Sequence, residues 1–308
     1  MFFFLDPGPW LLAPVLMNLL FYTGVVLIWG TTWFAILFQL GEVDPLVSII
    51  YRFALASAIL MTYCFLAGKR MRYSLVDHFY MVLLGFFLFS LNYWLFYVAE
   101  LYVTSGLVAV VFSTMVIWNT LFAALFLGAP VRPKVVVGGL LGLTGICLVF
   151  GPELASFELS DNGIFGLLIS LGATVSASLG NIISARNQLV GVPVIQANAW
   201  GMTYGTALMV LTALLTGKEF VFQATLHYVV SLVYLALFGS VFAFGMYLTL
   251  IGRIGADRAA YATLLFPIVA LALSMMFEEY RGGVGAMAGV SLILAGNFLV
   301  LKRKRSWW

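Results

Sequence analysis

The chain has 308 residues, of which 63% are hydrophobic and 9% charged, with a net charge of +3. A soluble domain carries about 25% charged residues, so this composition excludes a soluble globular protein. The two cysteines, Cys64 and Cys147, both fall in apolar runs and indicate neither a disulfide framework nor a metal site.

Residues 1–16 form an aromatic segment without the basic start of a signal peptide. We expect either an interfacial segment or a start codon placed too early, with Met17 as the true start. The apolar runs that follow approach the ~20 residues that a helix needs to cross a bilayer. Because backbone in lipid must bond to itself, and the alternating pattern of a barrel is missing, we predict an all-α integral membrane protein. The ten predicted spans are 17–38, 46–67, 77–98, 103–127, 134–151, 163–185, 194–215, 227–250, 257–277 and 284–301.

The pattern of the apolar runs repeats after about 150 residues. The matched pairs are Gly138 with Gly289, Gly145 with Gly296, Gly30 with Gly180, and Pro45 with Pro193. The repetition predicts two five-helix repeats, 17–151 and 163–301, followed by a basic cytoplasmic tail, 302–308. Since five is odd, the second repeat enters the membrane from the opposite side, and we predict that the repeats are inverted.

The positions of the charges support this topology. If both termini lie in the cytoplasm, most of the 15 Lys and Arg residues fall on the cytoplasmic side, as the positive-inside rule requires. Equivalent loops of the two halves also largely change the sign of their charge. Inverted repeats place a ligand at the midplane between the halves, which is the geometry of a carrier with alternating access.

Several short motifs occur in a characteristic order. They are WGTTWF from Trp29, YRF from Tyr51, NY…VAE…TSGLVAVV from Asn92, GADRAA…P from Gly255 to Pro267, and the glycines that close each half. In this order the chain resembles the EamA-type branch of the drug/metabolite transporter superfamily over about residues 17–301. The resemblance implies a bacterial inner-membrane exporter of small metabolites, often amino acids, with a central cavity lined by spans 1, 3, 4, 6, 8 and 9. The chain departs from that pattern at Val116, where a proline is common, and at Ala129, where an acid is common.

The candidate substrate-binding residues are aromatic or amide side chains within spans, because polar groups there usually face the bundle or a wet cavity. Trp29 and Trp33 share a helix face, as do Tyr93 and Tyr97. The full set is Trp29, Trp33, Asn92, Tyr93, Tyr97, Trp118, Asn119, Asn181, Tyr247 and Tyr261. For every one of them, helix packing or an interhelical hydrogen bond is the alternative interpretation.

Two further features suggest conformational change, a cation within a span and a proline within a span. Arg52 lies inside span 2, where a cation costs at least ~2.5 kcal/mol at full depth, and Glu100 lies on the same predicted outer side. We predict either a gating ion pair between them or snorkelling of Arg52 to the outer headgroups. Pro267 in span 9 deletes one backbone hydrogen bond and is either a hinge or a static kink.

The leading hypothesis is a secondary carrier that exports a small organic solute, such as an amino acid or a similar amphipathic compound. The sequence contains no Walker motif. Proton coupling, uniport and exchange are left open. The alternatives are a membrane-embedded lipid-modifying enzyme, which would need reactive groups at one depth, and a non-transporting membrane subunit. We expect no cofactor, no metal, no catalytic residue and no nucleic-acid partner. A homodimer through the glycine-rich faces is a further expectation.

Overall fold

A computed structural model of the protein describes residues 9–39, 41, 43–155, 157, 161–277 and 284–301. In these ranges the chain is helical and contains no strand, which confirms the predicted all-α class. The predicted basic tail, 302–308, and the start of the N-terminal segment, 1–8, lie outside the described residues.

The described residues of the first half form eight α-helices and one π-helical segment, called π1. They are α1 (Pro9–Leu37), α2 (Pro45–Leu66), α3 (Leu75–Phe86), π1 (Phe87–Leu91), α4 (Asn92–Ala99), α5 (Ser105–Ser113), α6 (Met115–Leu127), α7 (Pro133–Val149) and α8 (Gly151–Ala155). Helices α3 and α4 continue each other through π1. The predicted boundary at residue 17 falls within α1.

The second half, where described, repeats this order with a second π-helical segment, called π2. Its elements are α9 (Asp161–Leu189), α10 (Val194–Leu215), α11 (Leu226–Tyr234), π2 (Leu235–Phe242), α12 (Ala243–Ile254), α13 (Ala256–Ala259), α14 (Ala262–Phe277) and α15 (Val284–Leu301). The two π segments begin 148 residues apart, at Phe87 and Leu235, which is the offset between Pro45 and Pro193. Short π-helical stretches within α-helices are frequent at functional sites.

Each predicted span falls largely on helix in the described residues, although span 4 is divided between α5 and α6, and span 9 between α13 and α14. Six helical stretches are long and apolar enough to cross a membrane, so the chain is a multi-pass membrane protein. The six are Ala13–Ile36, Pro45–Leu66, Leu75–Ala99, Leu107–Leu127, Asn162–Leu189 and Leu226–Ile254, and the shorter apolar helices are Pro133–Val149 and Gly285–Leu301. Ten crossings and an inverted second half stay predictions.

Local sequence determines where the helices begin. Asp44 caps α2, because its carboxylate accepts a hydrogen bond from the Leu46 N–H at 2.9 Å. Pro45 occupies the first turn of α2, where its missing N–H is no loss, and Pro133 does the same in α7. These starts define the register of α2, and with it the depth of Arg52.

The two halves pack on each other reciprocally. Helix α1 packs against α12 and α14, while its equivalent α9 packs against α4 and α6. Helices α2 and α10 contact each other, and so do α7 and α15. Reciprocal contact between equivalent elements is what a twofold axis between two repeats produces. The large hydrophobic core includes residues of both halves.

Candidate functional site

The guanidinium of Arg52 enters the second half of the protein at π2. Its Nε donates to the Ser240 hydroxyl at 2.9 Å, and its Nη2 lies 3.5 Å from the Tyr93 hydroxyl. Its Cζ stands 5.5 Å from the ring centre of Phe53 and 5.3 Å from that of Tyr93. Gly239 leaves the room for this group, because a Cβ atom there would lie 3.1 Å from Nη2. We call Arg52, Tyr93, Gly239 and Ser240 the Arg52 site.

Trp29 connects α1 to the same part of π2. Its indole Nε1 donates to the Gly239 carbonyl at 3.2 Å. Its ring contacts those of Phe244 at 5.2 Å, Tyr247 at 5.0 Å and Phe266 at 6.3 Å between ring centres. Trp29 therefore combines a mid-helix polar contact with an aromatic surface, which suits an amphipathic solute.

A row of aromatic rings joins Trp29 to the Arg52 site. Phe244 contacts Phe89 at 5.0 Å, Phe89 contacts Phe53 at 5.7 Å, and Phe53 contacts Tyr93 at 4.9 Å between centres. The rings come from both halves of the chain. An apolar wall therefore runs from the indole to the guanidinium.

A second polar cluster lies on the other side of Tyr247. The Asn119 amide donates to the Ala256 carbonyl at 3.1 Å, and its oxygen accepts from the Ser178 hydroxyl at 2.7 Å. Asn181 donates to the Asn119 oxygen and to the Tyr247 hydroxyl, both at 3.3 Å. We call Asn119, Ser178, Asn181 and Tyr247 the amide cluster. It ties α6 to α9, α12 and α13.

Some predicted residues lie outside these contacts. The hydroxyl of Tyr261 donates to the Val135 carbonyl, and the side chain is fully buried, which fits helix packing. The Trp118 ring contacts Phe122 of its own helix. Asn92 is buried, and its side-chain oxygen has no hydrogen-bond partner in the described part of the chain. Trp33 falls on α1, but its side chain lies outside the described residues.

The predicted ion pair between Arg52 and Glu100 is not formed in this conformation. Desolvation raises the pKa of the Glu100 carboxyl, whereas a guanidinium beside it would lower the pKa. Tyr97 lies close enough to both charges to interact electrostatically with each. The guanidinium does not snorkel to a headgroup either, because Ser240 is near the middle of the Leu226–Ile254 stretch.

Pro267 lies inside α14, directly after Phe266. Proline at this position cannot donate the backbone bond to residue 263. Its neighbour Phe266 contacts both Trp29 and Phe112, so the interruption stands beside the aromatic wall. The hinge role stays a prediction.

Ion pairs between described residues join the two halves at both ends of the helices. Asp44 and Lys218 pair at 2.7 Å at one end. At the opposite end of α2, Asp77 pairs with Arg186 at 3.5 Å, and Arg132 pairs with Asp257 at 3.2 Å. Each pair takes one partner from each half.

Several members of the site were not predicted. Ser240, Gly239, Phe89 and Phe244 all lie in apolar runs that carry few polar residues. Ser240 had a usable signal, because it is a polar residue in the middle of a span. The rings had none, because phenylalanine occurs 27 times in the chain.

Metal ligation and cavities are two further possible sources of a binding site in the described chain. No group of three or more His, Cys, Asp or Glu residues in the described chain could hold a metal ion. A cavity of about 660 Å³ lies elsewhere, lined among others by Asn18, Tyr22 and Arg253. The functional assignment therefore depends on the mid-helix contacts described above.

Comparison with known proteins identifies relatives. The model of the EamA-like transporter family matches twice, at residues 16–151 and 164–302. The uncharacterized transporter YoaV of Bacillus subtilis is 25% identical over 281 residues, covering 89% of this chain and 93% of YoaV. The uncharacterized inner membrane transporter YedA of Escherichia coli is 28% identical over 249 residues, covering 80% of this chain and 78% of YedA. A protein of known crystal structure superposes with a TM-score of 0.75 at 19% identity, covering 92% of this chain and 95% of that one, which supports the fold.

Proposed function

Because the chain belongs to the EamA-like transporter family, we propose that it is a secondary carrier that exports a small amphipathic solute, such as an amino acid, across the bacterial inner membrane. The observation that carries this proposal is the contact of Trp29 and Arg52, from the first half, with Gly239 and Ser240, from the second. A solute bound there touches both halves, so relative movement of the halves changes the side from which it is reached.

Two observations support inverted repeats. The family model matches each half separately, and equivalent helices of the halves make reciprocal contacts. With ten crossings, both termini lie in the cytoplasm, where the positive-inside rule favours the basic loops. The inner-membrane location is supported by the name of the relative YedA.

The residues have separate roles in this proposal. Trp29 and its aromatic neighbours clasp the apolar part of the solute, and Tyr93 and Tyr97 offer hydroxyl groups. The amide cluster supports the wall through Tyr247. Pro267 serves as a hinge in α14, and Arg52 and Glu100 pair in a conformation other than the one described.

Counterflow in liposomes tests the carrier function. We expect purified protein to exchange members of a panel of apolar amino acids, and Trp29→Ala to raise the KM at least about tenfold through lost contact area. Trp94→Ala is the matched control, since this residue is 39% exposed on α4. Repeating the assay with a pH gradient separates proton coupling from exchange. If no compound of the panel were exchanged faster than in protein-free liposomes, the proposal would be overturned.

A further inference from the structure

Arg52 is a buried cation whose partners among the described residues are all uncharged. Its residue is 5% exposed. Ser240 and Tyr93 offer hydroxyl oxygens, and the rings of Phe53 and Tyr93 lie beside the guanidinium. Ion pairs between described residues form at other places. Since a buried charge without a counter-charge is costly, this arrangement calls for an anion.

One part of the guanidinium is free to receive that anion. Within the described chain, Nη1 donates to no residue, and it is not among the fully buried unpaired atoms. A guanidinium offers five N–H donors in a planar fork that matches the two oxygens of a carboxylate. A solute carboxylate that reaches Nη1 can therefore accept hydrogen bonds from its N–H groups without displacing another acceptor.

The second half holds the guanidinium in this position. The Ser240 hydroxyl donates to the Leu235 carbonyl at 3.1 Å, so its lone pairs are directed to accept from Arg52. Gly239 admits the group where any larger residue would press on Nη2. The Ser240 hydroxyl and the space at Gly239 therefore hold the positively charged guanidinium beside the aromatic wall.

We propose that Arg52 binds the carboxylate of the transported solute. The substrates are then organic acids or zwitterions, with the carboxylate at Arg52 and the apolar part against Trp29, Phe89 and Phe244. Amines and amides of the same shape lack the group that Arg52 recognises. This role presupposes the carrier function proposed above.

Matched compounds test the role of Arg52. We use full-length protein in liposomes with phenylalanine, leucine, their amides, phenylpropionate and phenethylamine. We expect the carboxylate compounds to compete for transport at concentrations at least about tenfold lower than the amides and the amine, as charge-assisted hydrogen bonds imply. Arg52→Gln should abolish that preference, and Arg52→Lys should keep part of it. Arg70→Gln, an exposed residue, is the charge-matched control.

Each outcome is decisive. Equal competition by phenylalanine and its amide in the wild type, or an unchanged preference in Arg52→Gln, overturns the assignment while leaving the carrier function intact. If no compound moves through the wild type or shifts its thermal unfolding midpoint, the carrier function fails and the assignment with it. Should Arg52→Gln fail to fold, competition in the wild type and in Arg52→Lys decides alone.

Discussion

Gly145 of α7 and Gly289 of α15 lie so close that a Cβ atom on Gly145 would stand 2.5 Å from the Gly289 carbonyl oxygen. The relation is mutual, because a Cβ on Gly289 would meet the Gly145 carbonyl oxygen. Gly138 and Gly296 face each other in the same way. Gly138 is the repeat partner of Gly289, and Gly145 is that of Gly296. Replacing each glycine by its repeat partner therefore converts the Gly138–Gly296 contact into the Gly289–Gly145 contact. A twofold axis through the contact would produce this arrangement.

The close contact of α7 and α15 predicts a large effect of any side chain there. We expect Gly145→Val and Gly289→Val each to destabilise the protein by about 1–3 kcal/mol, because the two backbones must separate. The measurement is the thermal unfolding midpoint in detergent. Gly285→Ala in α15 is the control, because its Cβ would make an ordinary 3.6 Å contact with the Leu148 carbonyl oxygen. Wild-type midpoints for both valine variants would contradict the prediction.

Gly239 is predicted to control the position of Arg52. In Gly239→Ala the new Cβ would lie 2.9 Å from the Thr32 Cγ2 and 3.1 Å from the Arg52 Nη2, so the guanidinium must shift. We expect the transport KM to rise about tenfold. Misplacing a functional group by ~1 Å can lower a reaction rate about 100-fold, and we expect a smaller effect on binding. Gly245→Ala, six residues later in α12, which continues π2, meets nothing within 4 Å and should transport normally. An unchanged KM in Gly239→Ala would argue against the Arg52 site.

The amide cluster is predicted to contribute to stability. Asn119→Leu leaves the Ala256 carbonyl and the Ser178 hydroxyl without their partner, at a cost of about 1–3 kcal/mol for a buried polar group left unpaired. The adjacent Trp118→Phe is the control, because it keeps a ring beside Phe122. Chemical unfolding of both variants gives the difference, and equal stabilities would show that the cluster is dispensable.

The relation between Arg52 and Glu100 can be measured as a coupling energy. In the described conformation Arg52 bonds to Ser240, so the proposed pair forms in another state of the carrier, and we expect Arg52→Gln and Glu100→Gln to be non-additive in kcat/KM by more than ~0.5 kcal/mol. The single and double variants are compared in the liposome assay. Additive effects would remove the gating pair from the mechanism.

Pro267 is predicted to act on rate more than on affinity. Pro267→Ala restores the missing N–H in α14, which stiffens the helix beside Phe266. We expect the transport rate to fall several-fold with little change in KM, since hinges govern conformational steps. Ala262→Ser, at the start of the same helix, is a conservative control. Normal folding with a normal rate would make the kink static.

The sequence predicted the helices well, for a physical reason. Apolar runs in lipid must form helices, so their limits are visible in the composition, and α10 (Val194–Leu215) coincides with its predicted span. The π segments were not predicted. They replace one hydrogen-bonding pattern by another within an unbroken apolar run, and no proline or charge marks π2.

The contacts of the candidate site were predicted in part, and the role of these residues in binding stays a prediction. Trp29, Tyr93, Asn119, Asn181 and Tyr247 were identified because polar and aromatic groups within spans seek partners in the bundle, and the structure brings them into two connected clusters. The sequence did not predict the direction of the Arg52 side chain, for which a pair with Glu100 and snorkelling to the headgroups were the two alternatives. That direction depends on Ser240, which is 188 positions away along the chain.

The ion pairs across the halves have an energetic consequence. Asp44–Lys218 closes one end of the interface, while Asp77–Arg186 and Arg132–Asp257 close the other. Partly exposed pairs of this kind are worth about 0–1 kcal/mol each, close to the thermal energy of ~0.6 kcal/mol. Thermal fluctuation is therefore strong enough to break these ion pairs at either end, so the pairs alone would not hold the proposed carrier in one state.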